Sequence, residues 1–424
     1  MLYFKDKITK HFSGNYNHFF VILILSIYPI SYFIGAGAVN FFIILIDLFL
    51  IFEILKKKKY SFFHNSIFYY LLALWSVLLL NLFFSVNLEN SAGRSVGFIR
   101  YIFFVMAIIY YLDVGEQRYR QIILSSWTII FLIVSFDLLY EFIFGKNILG
   151  FTSYMPGRLA GFFNNELKIG HFYYGFSAII LSYFLSSNYS TQFKYSKNNN
   201  NIVFMITIIF VLISFLIGER SNFIKTFIML FLFILLINFT FDKKKILILL
   251  SLLFVIFLTI NFNKGYKSRI LNQFLIPFTK NPIAYISSTN YGDHYKFGLN
   301  IFLDNKIFGV GLKNYRLVAS KYYYKDGIND VNSSIHPHQT HIEILSELGL
   351  IGYSSFVVFF ILSFLKYRKN LNDNNRYYKL AGLLFIISTF IPFLPSGSFF
   401  TSHGATLFWM NFGFMCLAKK NFKI

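Results

Sequence analysis

"NIVFMITIIFVLISFLIGERSNFIKTFIMLFLFILLINFTFDKKKILILLSLLFVIFLTINF", residues 201–262, decides the fold. Three apolar runs, 201–217, 224–240 and 246–262, are separated only by GERSN at 218–222 and a lysine-bearing turn at Lys243 to Lys245. Runs of roughly 17–25 apolar residues are what a hydrocarbon core about 30 Å thick requires of a spanning helix. Working outward, the same pattern recurs at 19–35, 38–55, 66–85, 97–112, 121–144, 169–187, 349–365, 378–395 and 401–418. The sum is an all-α polytopic membrane protein of about twelve transmembrane helices. Composition agrees: 56% of the 424 residues are hydrophobic and only 13% charged, too few to cover a soluble domain of this size. The first apolar run lacks a small-residue cleavage site before it, so it is expected to be retained rather than removed as a signal.

The charge pattern sets the orientation. Net charge is +21, which would be compatible with a nucleic-acid ligand, but its distribution is that of a membrane topology signal. With the N-terminus inside, 22 of the 39 basic residues fall in short inside loops and tails, among them Lys56 to Lys59, Lys243 to Lys245 and the group from Lys366 to Lys379. The short outside loops hold only Arg94, Lys146, Arg158, Lys168 and Arg220. Both termini are then cytoplasmic and no nucleic-acid partner is required. The single cysteine, Cys416, excludes an intrachain disulfide or a cysteine metal site.

Three segments follow from the loop lengths: helices one to nine over 1–262, a large exterior loop over 263–348, and helices ten to twelve over 349–424. The loop has no membrane-length apolar run. Within it, "HYKFGLNIFLDNKIFGVGLKNY" reads as an amphipathic helix ended by a turn at Gly309 and Gly311. "HPHQTHIEILSEL" reads as a second helix with Pro337 in its first turn.

Three polar stretches fall on the outer side of this topology: "GRLAGFFNNELKIGH" from Gly157, "GERSN" from Gly218, and the histidine run His336, His338 and His341. Arg220, in a loop of barely five residues with Glu219 beside it, is either a snorkelling interfacial arginine or a guanidinium fork for a phosphate. Arg158 and Lys168 are further candidate anion contacts. The spacing H-x-H-x-x-H admits a metal, but Glu343 and Glu347 lie elsewhere on the helix and no HExxH pattern completes a set, so no metal is expected. A histidine of near-neutral pKa acting as a base toward a hydroxyl is the better reading.

At these residues the chain resembles the O-antigen ligase and polymerase superfamily. "HPHQTHIEILSELGLIGYSSF" is similar to its signature, with His338, Gln339, Glu347, Gly349 and Gly352 in the matching places. "NIFLDNKIFGVGLKNY", "IGERSNFIKTFIMLF", "GRLAGFFNNELKIGHF" and "FLPSGSFFTSHGATLFW" resemble further segments in the same order. The resemblance implies a GT-C-like, metal-independent, inverting glycosyltransferase of the bacterial inner membrane with no cofactor. It implies a donor glycan on a polyprenyl diphosphate carrier and, for a ligase, a lipid A–core acceptor. In a polymerase the acceptor is a second carrier-linked glycan. Membrane lipids are its surroundings. His338 would be the base, Arg220 and Glu347 its catalytic companions, and Arg158, Lys168, Glu219 and Gln339 substrate contacts. Where the family carries a second arginine this chain reads Asp293-His294-Tyr295-Lys296, which leaves Arg269, Lys296 or Arg316 to take that place. A lipid-linked oligosaccharide transporter is the alternative of a different class, although transporters place polar groups at the membrane midplane.

Overall fold

A computed structural model describes residues 16–114, 117–164, 166–186, 197–237, 243–325, 336–368 and 375–417. The tail lysines Lys5, Lys7, Lys10, Lys419, Lys420 and Lys423, and Lys194 and Lys369, lie outside the described residues. All regular structure among the described residues is helical. The principal helices are α1 (Tyr16–Ile27), α2 (Ala36–Lys57), α3 (Ser66–Asn81), α4 (Leu88–Gly97), α5 (Ile99–Ile109), α6 (Gln117–Phe144), α7 (Ile169–Ser186) and α8 (Lys197–Leu216). They continue as α9 (Arg220–Leu236), α10 (Lys243–Phe262), α11 (Asn290–Asp304), α12 (Tyr315–Lys325), α13 (Thr340–Tyr367), α14 (Arg376–Thr389) and α15 (Ser402–Met415).

Among the described residues each of the twelve apolar runs is helical over most of its length, although the run at 378–395 leaves helix after Thr389, and six helical stretches are long and apolar enough to cross a membrane. The exposed faces carry the membrane signature. On α2, Phe41, Ile44, Leu48 and Phe52 are exposed at helical spacing while Val39, Ile43, Ile46 and Leu50 on the other face are buried. A soluble helix would turn a polar face outward; here both faces are apolar, so the outward one has lipid as its solvent. Lipid gives helices no hydrophobic reason to associate, so packing and interhelical hydrogen bonds hold the bundle. The packing centres on rings: Trp127 is fully buried against Tyr28 and Phe176, and its indole N–H donates to the Leu25 carbonyl at 2.6 Å.

Two features break the simple bundle. The pair α14 and α15 pack closely on each other, yet each has 14 residues and so spans only about 21 Å. Between them runs an extended strap, 390–401. Irregular backbone at this position is stable only if the protein satisfies its polar groups. It does: Ser221 and Lys225 donate to the Pro395 carbonyl, and Arg94 donates to that of Phe400. His341 hydrogen-bonds the Phe390 carbonyl at 2.9 Å.

The second break is at Gly349, whose φ of 64° and ψ of −165° interrupt α13. A Cβ there would meet the backbone of Ile307 and Gly309, so only glycine lets the turn after α11 approach. The turn docks by backbone bonds, Val310 N–H to Ser346 O at 3.0 Å and Gly311 N–H to Glu347 O at 2.8 Å.

Three local expectations are corrected. The helix read from "HYKFGLNIFLDNKIFGVGLKNY" stops at Asp304 rather than running to Gly309, because the chain turns at Asn305 to dock on α13. The helix after the histidines starts at Thr340, which leaves Pro337 outside its first turn. The reason is that Gln339 is the cap, accepting Ile342 N–H at 2.8 Å, while His338 before it has φ 54°. Arg94, expected in a loop, is on α4, which Asn87 caps by accepting Asn90 N–H at 2.9 Å.

Candidate active site

Three glycines from separate segments meet backbone to backbone, Gly157 and Gly218 in turns and Gly265 in the short helix Lys264–Lys267. A Cβ on Gly157 would stand 2.7 Å from the carbonyl carbon of Gly265, and one on Gly265 2.6 Å from the nitrogen of Gly157. A Cβ on Gly218, at φ 77°, would collide with the Gly157 carbonyl. Tyr266, buried at the same junction, donates its hydroxyl to Leu216 O, and Leu159 N–H donates to Ile217 O at 3.1 Å. The contact has a direct chemical consequence. Arg158 follows the first glycine by one residue, Arg220 the second by two and Arg269 the third by four, so three guanidiniums are gathered in one place.

Their partners show how they are held. Arg220 donates to the backbone carbonyl of Arg269 at 3.4 Å and lies 5.6 Å above the Phe274 ring. Arg269 donates to Gly218 O at 3.3 Å, and both Arg158 and Arg269 reach the sulfur of Met155. Burial, then the charges of Arg158 and Arg220, hold the Arg269 guanidinium below its ordinary pKa. Only one carboxylate serves the group among the described residues: Glu219 pairs with Arg158 at 2.7 Å and also accepts from Asn222 at 2.5 Å. Glu219 thus pairs with Arg158 rather than with Arg220, its neighbour in sequence. Glu219 precedes α9 and faces α7, where it accepts Gly170 N–H at 3.4 Å, while Arg220 points to the loop. Three cations against one anion leave a net excess beside buried backbone, the electrostatic signature of an anion site.

His338 is joined to this cluster through the strap and through Tyr291. Its carbonyl accepts the Ser396 N–H at 2.7 Å, and the adjacent Pro395 carbonyl accepts from Ser221, next to Arg220. The imidazole is ringed by His336 at 4.1 Å, His294 at 5.2 Å and Tyr291 at 5.5 Å between ring centroids. Tyr291 is also within electrostatic reach of Arg269, which ties the histidine group to the arginines. Burial, then repulsion from His294, lowers the His338 pKa to about 4, and burial with His338 as a neighbour takes His336 to about 3. Both rings are then neutral at pH 7, but the near-neutral value expected of a base is corrected: burial and His294 disfavour the charged ring and leave His338 a weaker proton acceptor than a free imidazole.

The remaining expected residues divide. Gln339 uses its side-chain oxygen as the helix cap, and its backbone joins the same turn as His338. Glu347 is buried two turns along α13, where it accepts Tyr315 N–H at 3.4 Å and secures the turn after Val310. Glu343, between them, accepts from Ser398 at 2.5 Å and Phe399 N–H at 2.8 Å and so fastens the strap. Lys168 pairs with Glu166 at 2.6 Å on the exposed surface. Lys296 is exposed on α11, and Arg316 is on α12; of the three candidates for the second arginine, Arg269 is the one gathered with Arg220. His341 spends both ring nitrogens on Tyr353 and Phe390, a structural role. Among the described residues no three His, Cys, Asp or Glu side chains converge as a metal-ligand set.

Sequence reading passed over His294, Tyr291 and Ser396. His294 does carry a signal: with Phe297, Gly298 and Ile301 it forms the buried face of α11 at helical spacing. Ser396 carries none, since its role is a backbone N–H.

Fold and site together define a multi-pass helical membrane protein with a cationic, histidine-bearing site built from loops at one end. Residues 204–357 match the O-antigen ligase family model, which supports the resemblance to the O-antigen ligase and polymerase superfamily. The matched stretch contains Arg220, Arg269, His294 and His338, whereas Arg158 and the strap lie outside it. No curated protein matches the chain.

Proposed function

We propose that this protein is an O-antigen ligase-like glycosyltransferase of the bacterial inner membrane, with its site on the periplasmic face and both termini in the cytoplasm. It moves a glycan from a polyprenyl diphosphate carrier to an acceptor hydroxyl of lipid A–core. The observation that carries this reading is the gathering of Arg158, Arg220 and Arg269, joined to a neutral His338 through the strap and Tyr291.

In the reaction the acceptor oxygen attacks the anomeric carbon as its proton passes to an imidazole nitrogen of His338. The bond from that carbon to the phosphate oxygen breaks with its electron pair, and the anomeric centre inverts. Charge on the leaving diphosphate grows through the transition state, so cations fixed in advance favour the transition state over the bound substrate. Arg220 and Arg269 fill that role, supplying countercharge without a metal. Arg158, held by Glu219, sets the edge of the site. His294 and Tyr291 pack against His338 and orient its ring. Glu347 and Gln339 act on the site through the backbone turns they hold.

A transporter would concentrate such groups at the midplane; here they lie in loops and helix ends at one end of the bundle. The test is reconstitution in liposomes with carrier-linked glycan and either lipid A–core or a second carrier-linked unit. Glycan on lipid A–core is the expected product. Lengthened carrier-linked glycan instead would make the protein a polymerase, and lipid movement without either product would defeat the enzyme reading.

A further inference from the structure

The segment after α10 starts at a surface of the membrane. That helix is 20 residues long and apolar enough to cross, and Leu247, Leu250, Phe254 and Phe257 form an exposed face at helical spacing whose solvent is lipid. It ends at Phe262, which is 83% exposed. Just beyond, Tyr266 is buried and donates its hydroxyl to the carbonyl of Leu216, the last residue of α8. The chain from here on is therefore level with the helix ends.

It is helical over Ser268–Leu275 and Ile276–Lys280, then turns at Asn281, which caps Pro282–Ser287 by accepting Ala284 N–H at 3.0 Å. The last piece folds back on the first. Tyr285 donates to Gln273 O at 3.0 Å, and its ring packs with those of Phe274 and Phe278 at 5.9 and 6.0 Å between centroids. Ile270 packs on the core of the bundle. Leu275, Ile276 and Ile283 stay exposed, Ile283 at 81%.

Charge here is one-sided. Lys264, Lys267 and Lys280 are exposed and form no ion pair among the described residues, and no Asp or Glu occurs between Asp242 and Asp293. Exposed aliphatic groups and unpaired lysines, at the level where a lipid-facing helix ends, are what an element lying in the plane of a membrane interface presents. The aliphatic groups enter the acyl boundary, and lysines close to the surface are drawn to anionic lipid.

We propose that residues 264–287, read from sequence as part of an exterior loop, form an in-plane anchor on a bilayer bearing anionic phospholipid. Leu275, Ile276 and Ile283 sit at the acyl boundary, and Lys264, Lys267 and Lys280 meet lipid phosphates. This seating does not depend on the transferase reading. It does bear on the arginine cluster, because Arg269 belongs to the segment and Arg220 lies 5.6 Å above Phe274 and donates to Arg269 O at 3.4 Å. The anchor therefore holds two of the three guanidiniums at the height of lipid phosphates.

The test uses the full chain in nanodiscs of mixed phosphatidylcholine and phosphatidylglycerol, with nitroxide labels on Ile276→Cys, Ile283→Cys and Gln273→Cys. Phe254→Cys on α10 is the bilayer reference, and the parent, whose Cys416 is buried, is the blank. Oxygen, which concentrates in the acyl region, should relax the labels at 276 and 283 more than an aqueous nickel chelate does, as at 254. The order should reverse at 273. A reversed order at 276 and 283 places the segment in water and overturns the proposal. Low access to both reagents means that protein covers the face, a second copy included, and overturns it as well. A fluorescent label at 283 should be half-quenched by roughly fivefold less spin-labelled phosphatidylglycerol than phosphatidylcholine, the worth of one lysine at a charged surface. Lys264→Gln/Lys267→Gln/Lys280→Gln should remove that preference. Equal quenching by the two lipids in the parent overturns the anionic-lipid part.

Discussion

The two ends of the bundle use buried polar groups in opposite ways. At the end bearing Lys57 and Arg120, cations and carboxylates are joined in hydrogen-bonded groups. Glu53 accepts from Lys57 at 2.6 Å, Tyr110 at 2.7 Å and Tyr111 at 3.2 Å. Asn375 accepts from Arg120 at 2.6 Å and donates to Asp113 at 2.5 Å. At the other end three guanidiniums share one carboxylate, and their other contacts are carbonyls, a sulfur and a ring. A network that joins both signs closes a structure; an excess of one sign is costly to keep, and a bound anion relieves it.

The comparison breaks most sharply at His338. His338→Ala should lower the transfer rate about 10²–10⁴-fold, the usual worth of a positioned proton acceptor, measured by single-turnover transfer. A variant that folds and keeps full transfer would remove the proposed base. Next, Arg269→Gln should lower the rate about 10²-fold by removing charge stabilisation. Its mirror, Arg120→Gln at the opposite end, should leave the rate per folded molecule unchanged while destabilising the protein by about 1–2 kcal/mol. Equal rate losses in both would mean that the excess of charge has no catalytic meaning.

Gly218→Ala tests how the excess is assembled. The added methyl collides with Gly157 O at a positive φ, so the variant should lose stability by a few kcal/mol and lose transfer with it. A thermal midpoint unchanged from the parent would show that the three segments are not held as described.

The last prediction is the pH response. Free histidine titrates near 6.5, and His336 and His338 are held at about 3 and about 4. The unfolded chain therefore binds protons first as pH falls. Stability from these two rings is complete above about pH 6.5 and is lost as pH drops toward 4. Thermal unfolding in detergent should show that decline, and His336→Phe should flatten it. A midpoint flat from pH 7 to 4 would contradict the buried, neutral histidines.

Much of this was legible in the chain. Apolar runs such as 246–262 marked helices because lipid tolerates little else, and the basic residues marked the ends that stay together. The ordered histidine and arginine stretches identified the superfamily and put His338 and Arg220 among the candidates. What could not be read was which arginine stands beside Arg220, because proximity across 49 residues depends on Gly157, Gly218 and Gly265 meeting. Nor could Glu343, Glu347 and Gln339 be sorted from reacting groups, since a carboxylate that holds a backbone turn looks the same in sequence as one that meets substrate.

The sequence by itself determined the solvent, the helices and the inventory of cations and imidazoles, because these depend on hydrophobicity and charge along the chain. The tertiary structure decided the site. Lack of a Cβ at three glycines lets three segments touch, and the strap at 390–401 joins His338 to Ser221, next to Arg220, through the Ser396 N–H and the Pro395 carbonyl, which no side-chain pattern records.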